Sequence, residues 1–254
     1  MSDAPAIELR NVSVIYNQGT PEEVLALRHI SLQVRKGETV IITGNNGSGK
    51  STLLRAIAGT APVTDGAVLI AGTDVTRWSS HRRAKLLGFI YQDPMLGTCP
   101  NLTVHENFRL VSEGSWWSLL FERLHADEVQ SMLVKSSGLL LDHKAATLMS
   151  SLSGGQRQGA ALILALSSRR SILLMDEFTS SLDDRVRASY LEMIAKQSAL
   201  QELTILGVMH NLEETAVLKA RTVRLAGGQQ VLLSASKVEA LGVSAGKDAA
   251  IQNH

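Results

Sequence analysis

The sequence has little cysteine, little net charge and no long apolar run. Its one cysteine, Cys99, excludes an intramolecular disulfide and a cysteine-based metal cluster, and fits a reducing compartment. Lysine and arginine number 25 and aspartate and glutamate 24, so the net charge of +1 argues against nucleic-acid binding through bulk positive charge. Apolar runs such as residues 159–166 fall far short of the ~20 residues of a spanning helix.

The N-terminus likewise lacks the cationic start and apolar stretch of a secretory signal. Hydrophobic residues make up 44% and charged residues 19%, a balance that excludes wholesale disorder. A length of 254 residues suits one large α/β domain. We therefore expect a cytosolic chain with a single domain over residues 1–233 and a loosely packed tail over 234–254.

Two stretches near the N-terminus, residues 7–16 and 30–35, alternate apolar and polar side chains. A period of two predicts half-buried strands of an antiparallel sheet. Near the other end, residues 222–226 and 230–233 flank Gly227-Gly228, which predicts a hairpin.

Three other runs are short and almost continuously apolar, namely residues 39–43, 171–176 and 203–209. Such runs are typical of parallel strands covered by helices on both faces. Between about residues 93 and 165 helical patterns replace strand patterns, which predicts a helical insertion. The expected fold class is α/β, with a parallel-sheet core, an N-terminal antiparallel subdomain and this insertion.

The strongest local signal fits G-x-x-x-x-G-K-[ST], between an apolar strand and a predicted helix. Glycines let backbone N–H groups converge on phosphate oxygens, and the helix N-terminus adds positive potential. Lysine can reach the terminal phosphates and the following serine can ligate Mg²⁺. The alternative is an ordinary glycine-rich turn. The motif comprises Gly44, Asn45, Asn46, Gly47, Ser48, Gly49, Lys50, Ser51 and Thr52.

Further polar residues follow strands whose carboxyl ends share that edge of a parallel sheet. Asp176 ends one apolar run and Glu177 follows it, so a carboxylate can join the Mg²⁺ shell and its neighbour can orient a water. Gln92 and His210 follow two other predicted strands. A lone histidine is more often structural, but His210 projects from the edge where a γ-phosphate would lie.

A second anion site is predicted where Ser153, Gly154, Gly155 and Gln156 open a helix rich in alanine and leucine, because a serine cap leaves a free helix N-terminus. With the phosphate loop, Gln92, Asp176-Glu177, residues 181–183 and His210, in that order, the chain resembles the nucleotide-binding subunit of ATP-binding cassette (ABC) transporters. The resemblance covers residues 7–233. Residues 91–98 and 101–104 look closest to bacterial uptake systems with a branched-chain-amino-acid-type permease and a periplasmic binding protein.

The resemblance implies a P-loop NTPase with a RecA-like core, in which two subunits sandwich two ATP molecules. Lys50, Ser51, Gln92, Asp176, Glu177 and His210 would act from one chain, and Ser153, Gly154 and Gly155 from the other. Glu177 would be the general base and His210 the γ-phosphate contact, whereas Ser51, Gln92 and Asp176 would hold Mg²⁺. Tyr16 would stack on adenine; otherwise it is a strand-edge tyrosine.

The chain departs from the family pattern at three positions: Phe178 and Asp184 replace prolines, and Met209 replaces a hydroxyl residue before His210. None of the three supplies a ligand in the family, so we expect altered packing and retained hydrolysis.

The resemblance also implies partners: a second copy of the chain, integral membrane permease subunits, and indirectly a periplasmic or extracellular substrate-binding protein. The subunit would then sit on the cytoplasmic face of the bacterial inner membrane and power import of small solutes, with amino acids a guess. An exporter subunit and a soluble ATPase acting on ribosomes or DNA are the alternatives.

We expect the permease to dock beside residues 92–103, with Trp116-Trp117 forming a local core or one wall of the groove. The basic residues among positions 81–85 predict the solvent-exposed start of a helix.

Overall fold

The computed structural model describes residues 4–113, 144–168, 170–180, 182–209 and 211–231. In chain order the strands are β1 (Ile7–Tyr16), β2 (Val24–Val34), β3 (Thr39–Thr43), β4 (Asp65–Ile70), β5 (Thr73–Asp74), β6 (Leu87–Ile90), β7 (Ile172–Asp176), β8 (Thr204–Val208), β9 (Arg221–Ala226) and β10 (Gln229–Val231). The helices are α1 (Lys50–Ala58), α2 (Ser80–Arg83), α3 (Val104–Glu113), α4 (Gly154–Ser167), α5 (Asp184–Gln201) and α6 (Leu212–Val217), with 3₁₀ turns at Pro94–Gly97 and Met149–Ser151.

The core is a six-stranded sheet in the order β10-β9-β3-β8-β7-β6. Strands β9, β3, β8, β7 and β6 run parallel, and β10 closes an antiparallel hairpin. In β7, Ile172 and Leu174 pack into one hydrophobic cluster, and Leu173 and Met175 into another on the opposite face. Both faces of the strand are therefore buried, which is why its sequence is continuously apolar. The predicted parallel core is confirmed.

A second, four-stranded antiparallel sheet has the order β2-β1-β4-β5. Strand β1 has the predicted bounds, but β2 begins at Val24 and not at residue 30. His29 has a φ of 48°, and the ladder shifts register along this pair, so alternation is lost over the first half of β2. Strands β4 and β5 were not predicted, because Val68, Leu69 and Ile70 are all buried and show no period of two.

The predicted solvated helix start over residues 81–85 is confirmed at four of its five positions, and Arg83 is the exception. Arg83 is 2% exposed, and its guanidinium donates to the carbonyl oxygens of Ala56 at 2.7 Å and Ile57 at 2.9 Å. It donates as well to the carbonyl of Thr76 at 2.8 Å. Since these acceptors include the last turn of α1, Arg83 caps the helix that begins at the phosphate loop.

The described part of the predicted insertion comprises α3, α4 and the two 3₁₀ turns. Residues 94–97 form a short 3₁₀ turn in which the Asp93 carboxylate accepts from the Met95 N–H at 2.9 Å. The Trp116-Trp117 hypothesis and the tail over 234–254 fall outside the described residues. Among the helices that are described, none is both long enough and apolar enough to span a bilayer.

Candidate active site

The phosphate loop lies between β3 and α1, and its conformation depends on glycine. Gly44, Gly47 and Gly49 have φ values of 148°, 77° and 97°. A Cβ on Gly49 would lie 2.6 Å from the carbonyl oxygen of Ala26, so a larger residue would displace β2. No side chain caps α1, which leaves its first N–H groups for an anion.

Lys50 lies inside this loop with 5% of its surface exposed. Its Nζ donates to the carbonyl oxygens of Gly44 at 3.0 Å and Asn45 at 3.2 Å. Asn45, Asn46 and Gly47 form the exposed crown of the loop. A phosphate bound at this loop would therefore contact both the backbone N–H groups and the Lys50 ammonium group. Ser48 Oγ is buried and has no hydrogen-bond partner in the described part of the chain.

Ser51 and Asp176 meet at the carboxyl edge of the sheet, where Ser51 Oγ donates to Asp176 Oδ1 at 2.9 Å. Burial raises the pKa of the Asp176 carboxyl, the neighbouring Glu177 charge raises it further, and the Ser51 hydrogen bond opposes both. A hydroxyl oxygen beside a buried carboxylate is the hard-oxygen donor pair that Mg²⁺ prefers. Both residues fit the predicted ion.

Glu177 follows directly, and its backbone lies in the left-handed region with φ at 46°. Its N–H donates to the Val208 carbonyl at 3.1 Å, which extends the β7–β8 ladder by one bond. Its Oε1 lies 3.7 Å from Lys50 Nζ. The strained backbone thus turns the carboxylate toward the phosphate loop instead of into the following turn.

The structure also describes three further predicted site residues, Gln92, Tyr16 and Thr52. Ile90 pairs with Met175, so Gln92, two residues beyond, follows the same edge as Asp176, and it is exposed. Tyr16 is half-buried and pairs with Val24 at the end of the β1–β2 ladder that carries Ala26 beside the loop. Thr52 lies half-buried in the first turn of α1. His210 and Ser181 fall outside the described residues.

The predicted serine cap is present at the start of α4. Ser153 Oγ accepts from the Gln156 N–H at 3.4 Å, and the Gln156 side chain accepts from the Ser153 N–H at 3.1 Å, which is a capping box. Ser153 and Gly154 are exposed, and a Cβ on Gly154 would touch nothing within 4 Å. Within the described ranges no hydrogen bond joins Ser153 or Gly154 to the phosphate loop.

Sequence reasoning missed several residues around the site. The Gly228 N–H donates to the Ser48 carbonyl at 3.2 Å, so the β9–β10 turn supports the phosphate loop. Gln158 and Tyr190 are buried beside the Ser153 helix, where Gln158 Nε2 donates to the Phe178 carbonyl. A polar side chain in an alanine- and leucine-rich helix was the available signal for Gln158. Gly228 is far from the phosphate loop in the sequence, so no local pattern indicated their contact.

A sequence profile of the family described as ABC transporter matches residues 27–180. The chain belongs to the ABC transporter family. It is 31% identical over 227 residues to the tyrosine transport ATP-binding protein of Clostridioides difficile, covering 89% of this chain and 90% of the relative. It is 32% identical over 239 residues to the lipoprotein-releasing system ATP-binding protein LolD of Pseudomonas syringae, covering 91% and 99%.

Among solved structures, the ABC fold is matched by the dimeric post-hydrolysis state of the ATP-binding cassette MJ0796 bound to ADP and Pi. The TM-score is 0.76 at 26% identity, covering 89% of this chain and 97% of that one. These matches confirm the predicted family, the P-loop NTPase fold and the ATPase class of this ABC subunit. The bound ADP and Pi and the dimer are those of the MJ0796 structure.

Proposed function

We propose that this chain is the ATP-hydrolysing subunit of a bacterial importer of small solutes and works as a homodimer around two ATP molecules. The observation that carries the proposal is the convergence of Lys50, Ser51, Asp176 and Glu177 at one sheet edge. The subunit is peripheral, on the cytoplasmic face of the inner membrane, and it acts with permease subunits and, through them, a substrate-binding protein.

In the proposed mechanism, the loop N–H groups and Lys50 bind the phosphates of ATP, and Tyr16 stacks on the adenine. Ser51, Asp176 and Gln92 hold Mg²⁺, which neutralises phosphate charge when bound. Glu177 accepts the proton of the attacking water, and His210 contacts the γ-phosphate. Phe178, 0% exposed in place of the family proline, fills the core behind Glu177 and takes no part in binding.

The capped start of α4 completes the site of the other subunit. Ser153 and Gly154 are exposed, yet within the described residues no hydrogen bond brings them to their own phosphate loop. A head-to-tail dimer would use both features, because each ATP would lie between the phosphate loop of one chain and Ser153-Gly154-Gly155 of the other.

Mixed dimers test this geometry. Ser153→Arg and Lys50→Ala each inactivate a homodimer, but a mixed dimer of the two chains keeps one composite site with both elements intact. Recovery of ATPase activity on mixing supports head-to-tail sites, whereas two inactive chains that stay inactive on mixing contradict them. After Cys99→Ser, which removes the exposed native thiol, Asn46→Cys and Ser153→Cys should crosslink between chains in ATP.

The permease docks beside residues 92–103. Leu96 is 69% exposed there, and the Asn107 amide holds the segment in shape by donating to the carbonyls of Cys99 at 3.0 Å and Thr103 at 2.9 Å. A cleft of about 340 Å³ runs along β6 to Tyr91, the residue before Gln92. An exposed apolar side chain on an ordered segment next to the Mg²⁺ side of the site suits a coupling contact.

Import is favoured by the relatives, which include the methionine import protein MetN of Nocardia farcinica, 31% identical over 239 residues. The lipoprotein-releasing relative keeps export as the second candidate. Isolating the tagged chain from membranes in mild detergent tests both. A copurified integral membrane protein that stimulates ATP turnover and transports inward in vesicles supports the proposal; outward transport, or association with ribosomes or DNA, contradicts it.

A further inference from the structure

Two buried side chains join the start of α4 to the elements that carry Glu177. Gln158, 2% exposed on α4, donates through Nε2 to the carbonyl of Phe178, the residue that follows Glu177. Tyr190, 0% exposed on α5, donates through its hydroxyl to the carbonyl of Gly155 at 2.6 Å. The two bonds run in opposite directions between α4 and the segment over residues 178–190.

The bond from Gln158 to Phe178 is buried, and the bond from Tyr190 to Gly155 is partly buried. A buried carbonyl that loses its donor keeps its desolvation cost without compensation. Burial raises the pKa of Tyr190 to about 12, so its hydroxyl stays protonated and remains a donor at physiological pH. Neither bond has an atom of the phosphate loop as its partner.

We propose that Gln158 and Tyr190 are positioning residues that hold the Ser153–Gly155 helix start in a fixed place relative to Glu177 of the same chain. The inference rests on the composite dimer proposed above. In that dimer Glu177 faces one ATP and Ser153 the other, so the two bonds connect the two ATP sites through one subunit. A shift of the Glu177 turn in one site would then move the Ser153 helix in the other.

The variants Tyr190→Phe and Gln158→Met remove one donor each and keep the volume of the side chain. Losing one hydrogen bond should lower kcat roughly two- to tenfold, because the Ser153 helix is then less well placed. ATP affinity of the isolated, monomeric subunit should stay unchanged, since its loop is untouched. The replacements Ser189→Ala, at a half-buried position, and Gln201→Met, at an exposed one, lie on α5 as matched controls and should leave both quantities unchanged.

The double variant distinguishes positioning from general stability. If both bonds hold the same helix start, the double variant should lose less activity than the product of the two single effects. Effects that multiply, an unchanged kcat in a folded variant, or a parallel loss of ATP affinity in the monomer would each overturn the inference. Melting temperatures are measured throughout, and Gln158→Asn replaces Gln158→Met if the latter does not fold.

This outcome is separable from that of the proposed function. Wild-type ATPase activity and recovery in the mixed dimers test the composite site, and the Gln158 and Tyr190 variants are interpreted where both are present. Composite sites together with wild-type kinetics in both variants would leave the proposed function intact and remove the role assigned to these two side chains.

Discussion

The carboxylate of Glu214 accepts a hydrogen bond from Thr179 Oγ1 at 2.9 Å, and both residues are buried. Its other oxygen lies 3.4 Å from Arg187 Nε. Arg187 also donates to the carbonyl of Leu182 at 2.7 Å, so one guanidinium links α6 to the loop between Glu177 and α5. The segments that follow the neighbouring strands β7 and β8 are thus tied together beside the candidate base.

The variant Glu214→Gln should lower the free energy of unfolding by about 1–3 kcal/mol, because it removes the charge that faces Arg187 in a buried setting. Urea unfolding measures the loss. Its matched control is Glu213→Gln, one residue away and exposed, which should change stability by less than about 0.5 kcal/mol. Equal effects of the two changes would mean that the Arg187 pair contributes nothing.

The variant Glu177→Gln should lower ATP turnover by about 10²–10⁴-fold and leave ATP binding intact, since the amide cannot accept the proton of the water. Steady-state ATPase assays measure the first effect and equilibrium nucleotide titration the second. The variant should also accumulate as an ATP-bound dimer in size-exclusion chromatography. Turnover close to that of the wild type would remove Glu177 from the role of base.

The variant Met95→Glu should weaken permease association and transport-coupled ATPase, because it adds a charge to the docking segment. Leu200→Glu is the matched control, since Leu200 is 70% exposed at the end of α5. Copurification with the permease and melting temperature are measured together. A large drop in melting temperature would show that Met95 packs within the loop, and unchanged association in a stable variant would exclude this docking site.

The variant Arg83→Ala should destabilise the chain by about 3 kcal/mol or more, because the α1 carbonyls would lose a charged, buried donor. Arg82 offers the comparison: it is exposed, with its guanidinium 3.5 Å from the Trp78 ring centre. Arg82→Ala should therefore cost only about 0.5–1 kcal/mol. Thermal and urea unfolding of the two variants check the contrast, and equal losses would refute the capping role.

The sequence predicts the parallel core well, because strands such as Ile172–Asp176 are apolar on both faces and stand beside a specific phosphate-loop pattern. It does not predict β4, where consecutive buried residues hide the alternation, or the early start of β2, where register shifts interrupt it. Nor does it distinguish Arg83 from its exposed neighbours, since only the tertiary structure brings the end of α1 over that position.

At the candidate site, each residue that lies in a motif was found from the sequence, because motif spacing encodes local backbone geometry. The meeting of Ser51 with Asp176 follows from a shared sheet edge and was predicted as well. The bonds of Gln158, Tyr190 and Glu214 were not, because they join helices whose packing angle no local pattern specifies.

At Glu177 the left-handed backbone favours glycine for stability, whereas the proposed catalytic role requires a carboxylate. A side chain in that region costs roughly 1–2 kcal/mol relative to glycine. Selection for expression or heat resistance alone would therefore favour Glu177→Gly, a change that also removes the proposed general base. A screen for improved variants of this chain therefore needs an ATPase readout at every round. Without it, the screen would enrich for loss of the proposed general base, Glu177.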